Sequence, residues 1–311
     1  MSARIALIAA AVAAAALLPT ATQAQPTAAP VVPDTPADSG WDGAEQQQWA
    51  AACEDQDDWD KPGPPFRIYG NSYYVGTCGI TAILVIGDQG NVLIDSGTRV
   101  GADVVAANIE KLGFKLSDVK LLLTSHEHFD HVGGIAELQR RTGAKLLASP
   151  AAAPVMASGE PSELDPQNGI LDSFAPARVD GILEDGKPVK LGSLTFVPVF
   201  TPGHTPGAVS WQWRSCAGNT CATMVYADSL SPISSDSYRF SDHPDYVALY
   251  RLGLQHLSQL SCTIVLTPHP SASGMRKRLA FGSPFGEPSC RAYAESIGKR
   301  LDARLAEEAA R

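Results

Sequence analysis

Three histidines and an aspartate fall within one short stretch of the chain. The stretch reads His126-Glu127-His128-Phe129-Asp130-His131 and follows an apolar run that predicts a buried strand ending at Thr124. His126 and His128 are two residues apart, so their side chains point the same way in an extended segment. Burying so many polar side chains without a shared partner would leave them unsatisfied. The stretch therefore predicts a metal site.

Two further histidines occur in a similar setting. His204 lies in Thr-Pro-Gly-His-Thr-Pro-Gly and His269 in Thr-Pro-His-Pro, and each follows a predicted strand. Loops at strand ends carry much of the chemistry of α/β proteins. The six candidate ligands divide into two sets of three, and each set leaves a position open for water, as catalytic zinc sites do.

Alternating strands and helices are predicted along the chain, and these elements would position the histidine-containing loops. The apolar patterns predict strands at 80–87, 91–95, 119–124, 145–148, 188–191, 194–199, 208–214, 223–226 and 262–266. They predict helices at 102–112, 132–142, 244–260 and 291–309. Two successive blocks of strands, each followed by a helix, indicate an α/β architecture. Residues 149–180 show no clear period, which is typical of a functional flap.

Composition excludes several classes of protein. The 311 residues are 44% hydrophobic and 18% charged, so the chain can bury a full core and is not disordered. The formal net charge is −9 and no block of Lys and Arg occurs, so we expect no nucleic-acid partner. No central run of about 20 apolar residues exists, which excludes a polytopic membrane protein.

The first 24 residues predict export. Arg4 precedes the apolar run Ile5 to Leu18, and the small residues Thr22 and Ala24 precede a cleavage site before Gln25. This pattern is typical of a secretory signal peptide over residues 1–24. Residues 25–40 form a Pro- and Ala-rich leader, and residues 41–311 are predicted to be a single domain. We therefore expect a periplasmic protein with no stable membrane association after cleavage.

The flanking motifs resemble those of the metallo-β-lactamase superfamily, whose signature is Ser/Thr-His-x-His-x-Asp-His. Similarity to subclass B3 members is carried by the segments 65–71, 75–77, 93–97, 125–134 and 227–231. The resemblance covers the chain from about Trp41 to its C-terminus. It implies a four-layer αβ/βα sandwich with a dinuclear zinc site along one edge.

The resemblance also assigns roles to individual residues. It implies two Zn²⁺ ions per subunit, the first held by His126, His128 and His204, and the second by Asp130, His131 and His269. Asp130 is in addition the expected catalytic residue, which orients a zinc-bridging hydroxide for attack on the β-lactam carbonyl. Ser229, Ser231 and Gln167 are the expected substrate contacts.

The implied activity is zinc-dependent hydrolysis of small-molecule β-lactam antibiotics. Penicillins, cephalosporins and carbapenems are the expected substrates, antibiotic resistance the expected consequence, and a monomer the expected state. Cysteine pairs persist in the oxidising space outside the cytoplasm. For the six cysteines of this chain the resemblance implies the pairs Cys53–Cys78, Cys216–Cys221 and Cys262–Cys290.

Several alternatives stay open at the level of sequence. Another hydrolase of the same fold would act on a thioester, lactone or phosphodiester, and in glyoxalase-type members an Asp matching Asp228 bridges the metals. Cys221 is a rival metal ligand. A scavenging protein without catalysis would instead hold its metal in a closed site. Ser117 and Lys120 match a serine β-lactamase element, Ser-x-x-Lys, although its Ser-Asp-Asn partner is absent.

Overall fold

The computed structural model describes residues 40–55 and 57–310. Its helices are α1 Gly43–Ala52, α2 Gly101–Lys111, α3 Phe129–Val132, α4 Ile135–Thr142, α5 Ala152–Ser158, α6 Pro244–Gln259, α7 Met275–Ala280 and α8 Cys290–Ala309. Its strands are β1 Phe66–Tyr69, β2 Ser72–Tyr74, β3 Ile83–Val85, β4 Asn91–Ile94, β5 Val119–Leu123, β6 Lys145–Ala148, β7 Val179–Ile182, β8 Val189–Leu191, β9 Leu194–Phe200, β10 Val209–Ala217, β11 Thr220–Tyr226 and β12 Ile264–Leu266. None of the described helices has the length and apolar character needed to cross a bilayer.

The strands form two sheets. The first has seven strands in the order β1-β2-β3-β4-β5-β6-β7, and the second has five in the order β12-β11-β10-β9-β8. In the first sheet β1 to β4 are antiparallel, whereas β4 to β7 are parallel. The carboxyl ends of β4 and β5 therefore lie side by side at one edge of the sheet, where their following loops meet.

The alternation of side chains along each strand separates three apolar cores. In β3, Ile83 and Val85 join the core shared by both sheets, while Leu84 faces the core beneath α2 and α4. In β11, Met224 also faces the shared core, and Val225 faces α6 and α8. Successive residues of a strand point to opposite faces, so each sheet packs on its partner with one face and on helices with the other. The layers are αβ/βα, as predicted.

The periodic segments are found where the sequence predicts them. The first two predicted strands form the antiparallel β3–β4 hairpin, although β3 begins at Ile83 rather than at residue 80. The predicted helix at 244–260 is α6, which begins with Pro244 in its first turn, and the helix at 291–309 is α8, capped by the Ser289 hydroxyl. Proline is favoured at the start of a helix because it has no N–H that would stay unpaired there, and serine because its hydroxyl accepts a hydrogen bond from one of the free N–H groups.

The helix predicted at 132–142 is wrong at its start, because the chain forms two helices there. Gly134 N–H bonds to the Gly97 carbonyl, and the His131 carbonyl accepts a hydrogen bond from Ser96 N–H. These bonds to the loop after β4 replace the bonds that would continue one helix. A Cβ at Gly133 would lie 2.4 Å from the Phe129 carbonyl oxygen, so the sharp turn requires glycine.

Several elements of the structure were not predicted from the sequence. The segment 149–180 contains the seven-residue helix α5, and α1, β1, β2, β7 and α7 were not predicted. The helix α1 has ten residues but no apolar stripe, and the other elements are too short for their periodicity to show. The predicted signal peptide lies outside the described residues, as does the leader up to residue 39, so both stay predictions, as does the single domain.

The six cysteines come together in the three predicted pairs, Cys53–Cys78, Cys216–Cys221 and Cys262–Cys290. Cys216 and Cys221 are opposite each other in the β10–β11 hairpin. This pairing removes Cys221 as a metal ligand. The Cys262–Cys290 pair joins the segment before β12 to the first residue of α8.

We predict that the disulfides stabilise the fold in proportion to the loops they close. Cys262 and Cys290 are 28 residues apart, and Cys216 and Cys221 only 5. A longer loop loses more entropy in the unfolded chain when it is closed. Replacing both cysteines by alanine should lower the free energy of unfolding by about 1.5 kcal/mol more at 262/290 than at 216/221. Urea unfolding of the two double variants measures this, and equal losses would contradict the loop-length argument.

Candidate metal centre

The loop after β5 carries the first four candidate ligands in a fixed conformation. Ser125 donates both its backbone N–H and its hydroxyl to the Asp95 carboxylate, each at 2.7 Å. Its carbonyl accepts a hydrogen bond from Val209 N–H at the start of β10. The loop is thereby held between the two sheets, and His126 and His128 are buried at their shared edge.

His126, His128 and His204 form the first cluster. One ring nitrogen of each lies within 4.8 Å of the corresponding nitrogens of the other two, and all three side chains are buried. The structure thus brings His204, from the loop between β9 and β10, to the two histidines that follow β5. Three imidazoles around one point are a ligand set suited to zinc.

The outer nitrogen of each ring has a partner that determines which nitrogen faces the cluster. His126 Nδ1 lies 2.8 Å from Asp228 Oδ1, His128 Nε2 3.0 Å from Asp165 Oδ2, and His204 Nδ1 2.9 Å from the Ser231 carbonyl. Carboxylate and carbonyl oxygens accept only, so these nitrogens carry the hydrogen. The lone pairs that remain are on His126 Nε2, His128 Nδ1 and His204 Nε2. His126 Nε2 is buried and has no hydrogen-bond partner among the described residues.

Two rings of the first cluster, His126 and His204, are kept uncharged by their surroundings. Burial, and after it the neighbouring histidines His131 and His128, hold the pKa of His126 well below its usual range. Burial and the His128 ring do the same to the pKa of His204. Both rings are therefore neutral near pH 7 and offer their lone pairs without first losing a proton.

Asp130, His131 and His269 form the second cluster. Asp130 Oδ2 lies 2.9 Å from His131 Nε2 and 3.3 Å from His269 Nε2, and the two nitrogens are 3.3 Å apart. His126 belongs to this neighbourhood too, because its ligand atom lies within 4.8 Å of those of Asp130 and His131. The two clusters are therefore adjacent, with Asp130 and His126 at their boundary.

In the second cluster, Asp130 and His131 carry opposite charges. Burial acts to lower the pKa of His131, but the Asp130 carboxylate outweighs it and raises the pKa to about 10. Burial opposes the shift at Asp130, yet His131 holds its pKa well below the usual range. The metal-free pair is thus an ion pair, and a metal would replace the proton on His131.

The predicted substrate contacts lie in the two segments that reach the first cluster through Asp165 and Asp228. Ser229 Oγ and Gln167 Nε2 are buried and have no hydrogen-bond partner among the described residues. Ser231 differs, since its backbone carbonyl orients His204. Asp228 uses one oxygen on His126 and the other on Leu230 N–H, at 3.2 Å. Burial raises the pKa of Asp228, and its position is that of an outer carboxylate rather than a bridging one.

Two further carboxylates at the centre were not singled out in the sequence. Glu127, inside the histidine motif, accepts hydrogen bonds from the Thr205 hydroxyl and Gly207 N–H at 2.8 and 2.9 Å. Asp165 reaches His128 from the loop between α5 and β7. The place of Glu127 in the motif was a usable signal, whereas nothing next to Asp165 in the sequence marks it.

The serine β-lactamase element is remote from these groups. Ser117 lies in the turn before β5, at the opposite end of the strand from His126. Lys120 Nζ donates to the Ser117 carbonyl at 2.6 Å rather than activating its hydroxyl. The Ser-x-x-Lys match is therefore part of an ordinary exposed turn.

Comparison with known proteins agrees with this geometry. The profile of the Metallo-beta-lactamase superfamily matches residues 75–216. The MIM-2 metallo-beta-lactamase is 57% identical with a TM-score of 0.82, over 86% of this chain and 99% of that chain. MEM-A1, a subclass B3 metallo-beta-lactamase isolated from a soil metagenome library, is 42% identical with a TM-score of 0.77, over 81% and 99%.

A curated relative with another activity is more distant. The hydroxyacylglutathione hydrolase of Methylobacterium nodulans is 30% identical over 187 residues, which are 58% of this chain and 64% of that protein. The match thus spans less than two thirds of that relative, whereas the chain covers nearly all of the MIM-2 and MEM-A1 structures. The chain belongs to the metallo-β-lactamase superfamily, and within it resembles subclass B3.

Proposed function

We propose that the protein is a zinc-dependent β-lactamase that hydrolyses the amide of penicillins, cephalosporins and carbapenems. The convergence of three buried imidazoles beside the Asp130 cluster carries the proposal. Each set has three protein ligands, so each leaves a position open for water or substrate, as catalytic metal sites do and closed structural sites do not. Similarity to MIM-2 over 99% of its chain supports the choice of substrate.

The donor set fits zinc. His126, His128 and His204 would hold the first ion, and Asp130, His131 and His269 the second. The orphaned His126 Nε2 supports this assignment, because a buried ring nitrogen without a partner is rare. When bound, zinc supplies a Lewis acid for the amide carbonyl and lowers the pKa of water to about 7.

The chain's own residues then orient the reactants. Asp130 faces both clusters, so its carboxylate can accept a hydrogen bond from the attacking water and take up its proton. Ser229 Oγ is free to donate to the carboxylate that β-lactams carry next to the amide nitrogen. The side chains of Ser231 and Gln167 complete the proposed contacts to substrate. Asp228 acts through His126 by fixing its tautomer.

A thioesterase of the same fold is the second candidate, since the curated relatives include hydroxyacylglutathione hydrolases. In the glyoxalase-type arrangement an Asp matching Asp228 bridges the metals. Here both Asp228 oxygens have protein partners. This observation favours β-lactam over thioester hydrolysis.

We further propose that the protein acts in the periplasm after removal of residues 1–24, as a monomer that confers antibiotic resistance. All six cysteines are paired, which supports an oxidising compartment.

Metal removal tests the activity. We expect the purified protein to hydrolyse a carbapenem, which is measured as the loss of the carbapenem's ultraviolet absorbance. This activity should be lost on chelation and return when zinc is added. S-D-lactoylglutathione is the comparison substrate. Fast cleavage of the thioester, with the carbapenem left intact, would replace the β-lactamase proposal by the thioesterase one.

Substitution of Ser229 tests the substrate contact. Ser229→Ala removes a hydroxyl that the metal-free protein leaves unpartnered, so stability should change little. We expect KM for a penicillin to rise about tenfold with a smaller change in kcat, because the bond to the substrate carboxylate is made before the reaction. Ser258→Ala, on α6, is the matched control. An unchanged KM would remove Ser229 from the binding site.

A further inference from the structure

The loop of residues 159–178, between α5 and β7, contributes one side chain to the metal centre. Asp165 Oδ2 accepts a hydrogen bond from His128 Nε2 at 3.0 Å. Both side chains are buried, with 1% of Asp165 and 5% of His128 exposed. Because the carboxylate can only accept, it keeps the hydrogen on Nε2 and leaves the His128 Nδ1 lone pair for the first cluster.

The second oxygen of the same carboxylate shapes the loop itself. Asp165 Oδ1 accepts a hydrogen bond from Gln167 N–H at 2.7 Å. The Asp165 carbonyl accepts another from Asn168 N–H at 2.9 Å. Gln167 is the residue of this loop proposed to contact substrate, so its backbone and the His128 ring are attached to one carboxylate.

The loop is also attached to the other side of the site. The Pro166 carbonyl accepts a hydrogen bond from Ser235 N–H at 2.8 Å. Ser235 belongs to the segment that follows β11, in which Ser229 and Ser231 lie. The residue next to Asp165 therefore joins the two segments that carry the proposed substrate contacts.

We propose that Asp165 is a positioning residue that couples the substrate-binding loop to the metal ligand His128. Its two oxygens fix the His128 ring and the Gln167 backbone relative to each other. The coupling rests on the proposed function, because Gln167 is assigned there as a substrate contact. The other part of the proposal, that Asp165 orients the His128 ring for metal binding, does not depend on which substrate is used.

Asp165→Asn should break the coupling while keeping the size and shape of the side chain. An amide has one accepting oxygen, so its NH₂ group would face either the His128 N–H or the Gln167 N–H, donor against donor. Glu163→Gln is the matched control, since it removes an exposed carboxylate from the same loop. Circular dichroism of the metal-free proteins checks that both variants fold.

Zinc binding to the metal-free proteins tests the first half. In competition with a chromophoric chelator, Asp165→Asn should weaken one of the two zinc-binding steps by about 10- to 100-fold, the usual effect of losing an outer partner of a ligating histidine. Glu163→Gln should leave both steps unchanged. Wild-type affinity in Asp165→Asn would overturn the proposal. No β-lactam enters this measurement, so its outcome is distinct from failure of the proposed function.

A double-mutant cycle with Gln167→Ala tests the second half. At saturating zinc we expect Asp165→Asn and Gln167→Ala each to raise KM for a carbapenem. The double variant should lose no more in kcat/KM than the more affected single variant, because both changes remove the same placement of Gln167. Losses that multiply would show that Asp165 acts on the metal alone and would overturn the coupling.

The wild-type protein gives an independent readout if Asp165→Asn does not fold. In the zinc-loaded protein, the His128 Nε2–H proton should be protected from exchange and visible in a ¹⁵N-correlated NMR spectrum. A spectrum in which Nδ1 carries the hydrogen instead would contradict the arrangement.

Discussion

The buried carboxylate of Asp95 holds the two sheets and the metal-binding loop in one arrangement. It follows β4 in the first sheet and accepts hydrogen bonds from Ser125 and from the Tyr226 hydroxyl, the latter at 2.7 Å. Tyr226 ends β11, so this bond crosses from one sheet to the other. Burial and the Asp95 charge raise the pKa of Tyr226 well above its usual value, which keeps the phenol a donor. A buried charge needs all of these donors, and this need fixes where the loop after β5 can run.

Glu127 is a second buried carboxylate that fixes a loop, in this case the loop between β9 and β10 that carries His204. Its carboxylate accepts hydrogen bonds from the Thr205 hydroxyl and from Gly207 N–H, both in the loop directly after His204. Burial raises the pKa of Glu127 to about 7, against the effect of the Thr205 hydrogen bond. Since Glu127 lies between His126 and His128 in the chain, this contact sets the distance from those two histidines to His204.

The sequence predicts the parts of this structure that repeat or cluster. The β3–β4 hairpin, β5 and α6 have clear periods, and the histidine motif has a density that few other functions require. Asp165 has neither property, because its partner His128 is 37 residues away and the contact depends on the path of an irregular loop. The separation of α3 from α4 depends in the same way on hydrogen bonds to the loop after β4, which no local pattern encodes.

The arrangement of acids around the histidines would allow the buried site to accept the two proposed divalent ions. Three of the six proposed ligands each have a carboxylate behind the ring: Asp228 behind His126 at 2.8 Å, Asp165 behind His128 at 3.0 Å, and Asp95 behind His131 at 3.7 Å. Asp130 is the fourth acid and lies among the ligands themselves. Charges interact strongly where water is excluded, so four carboxylates would offset much of the charge of the two proposed zinc ions. The outer three carboxylates would do so through the imidazole rings, which would leave the space in front of the rings to water and substrate.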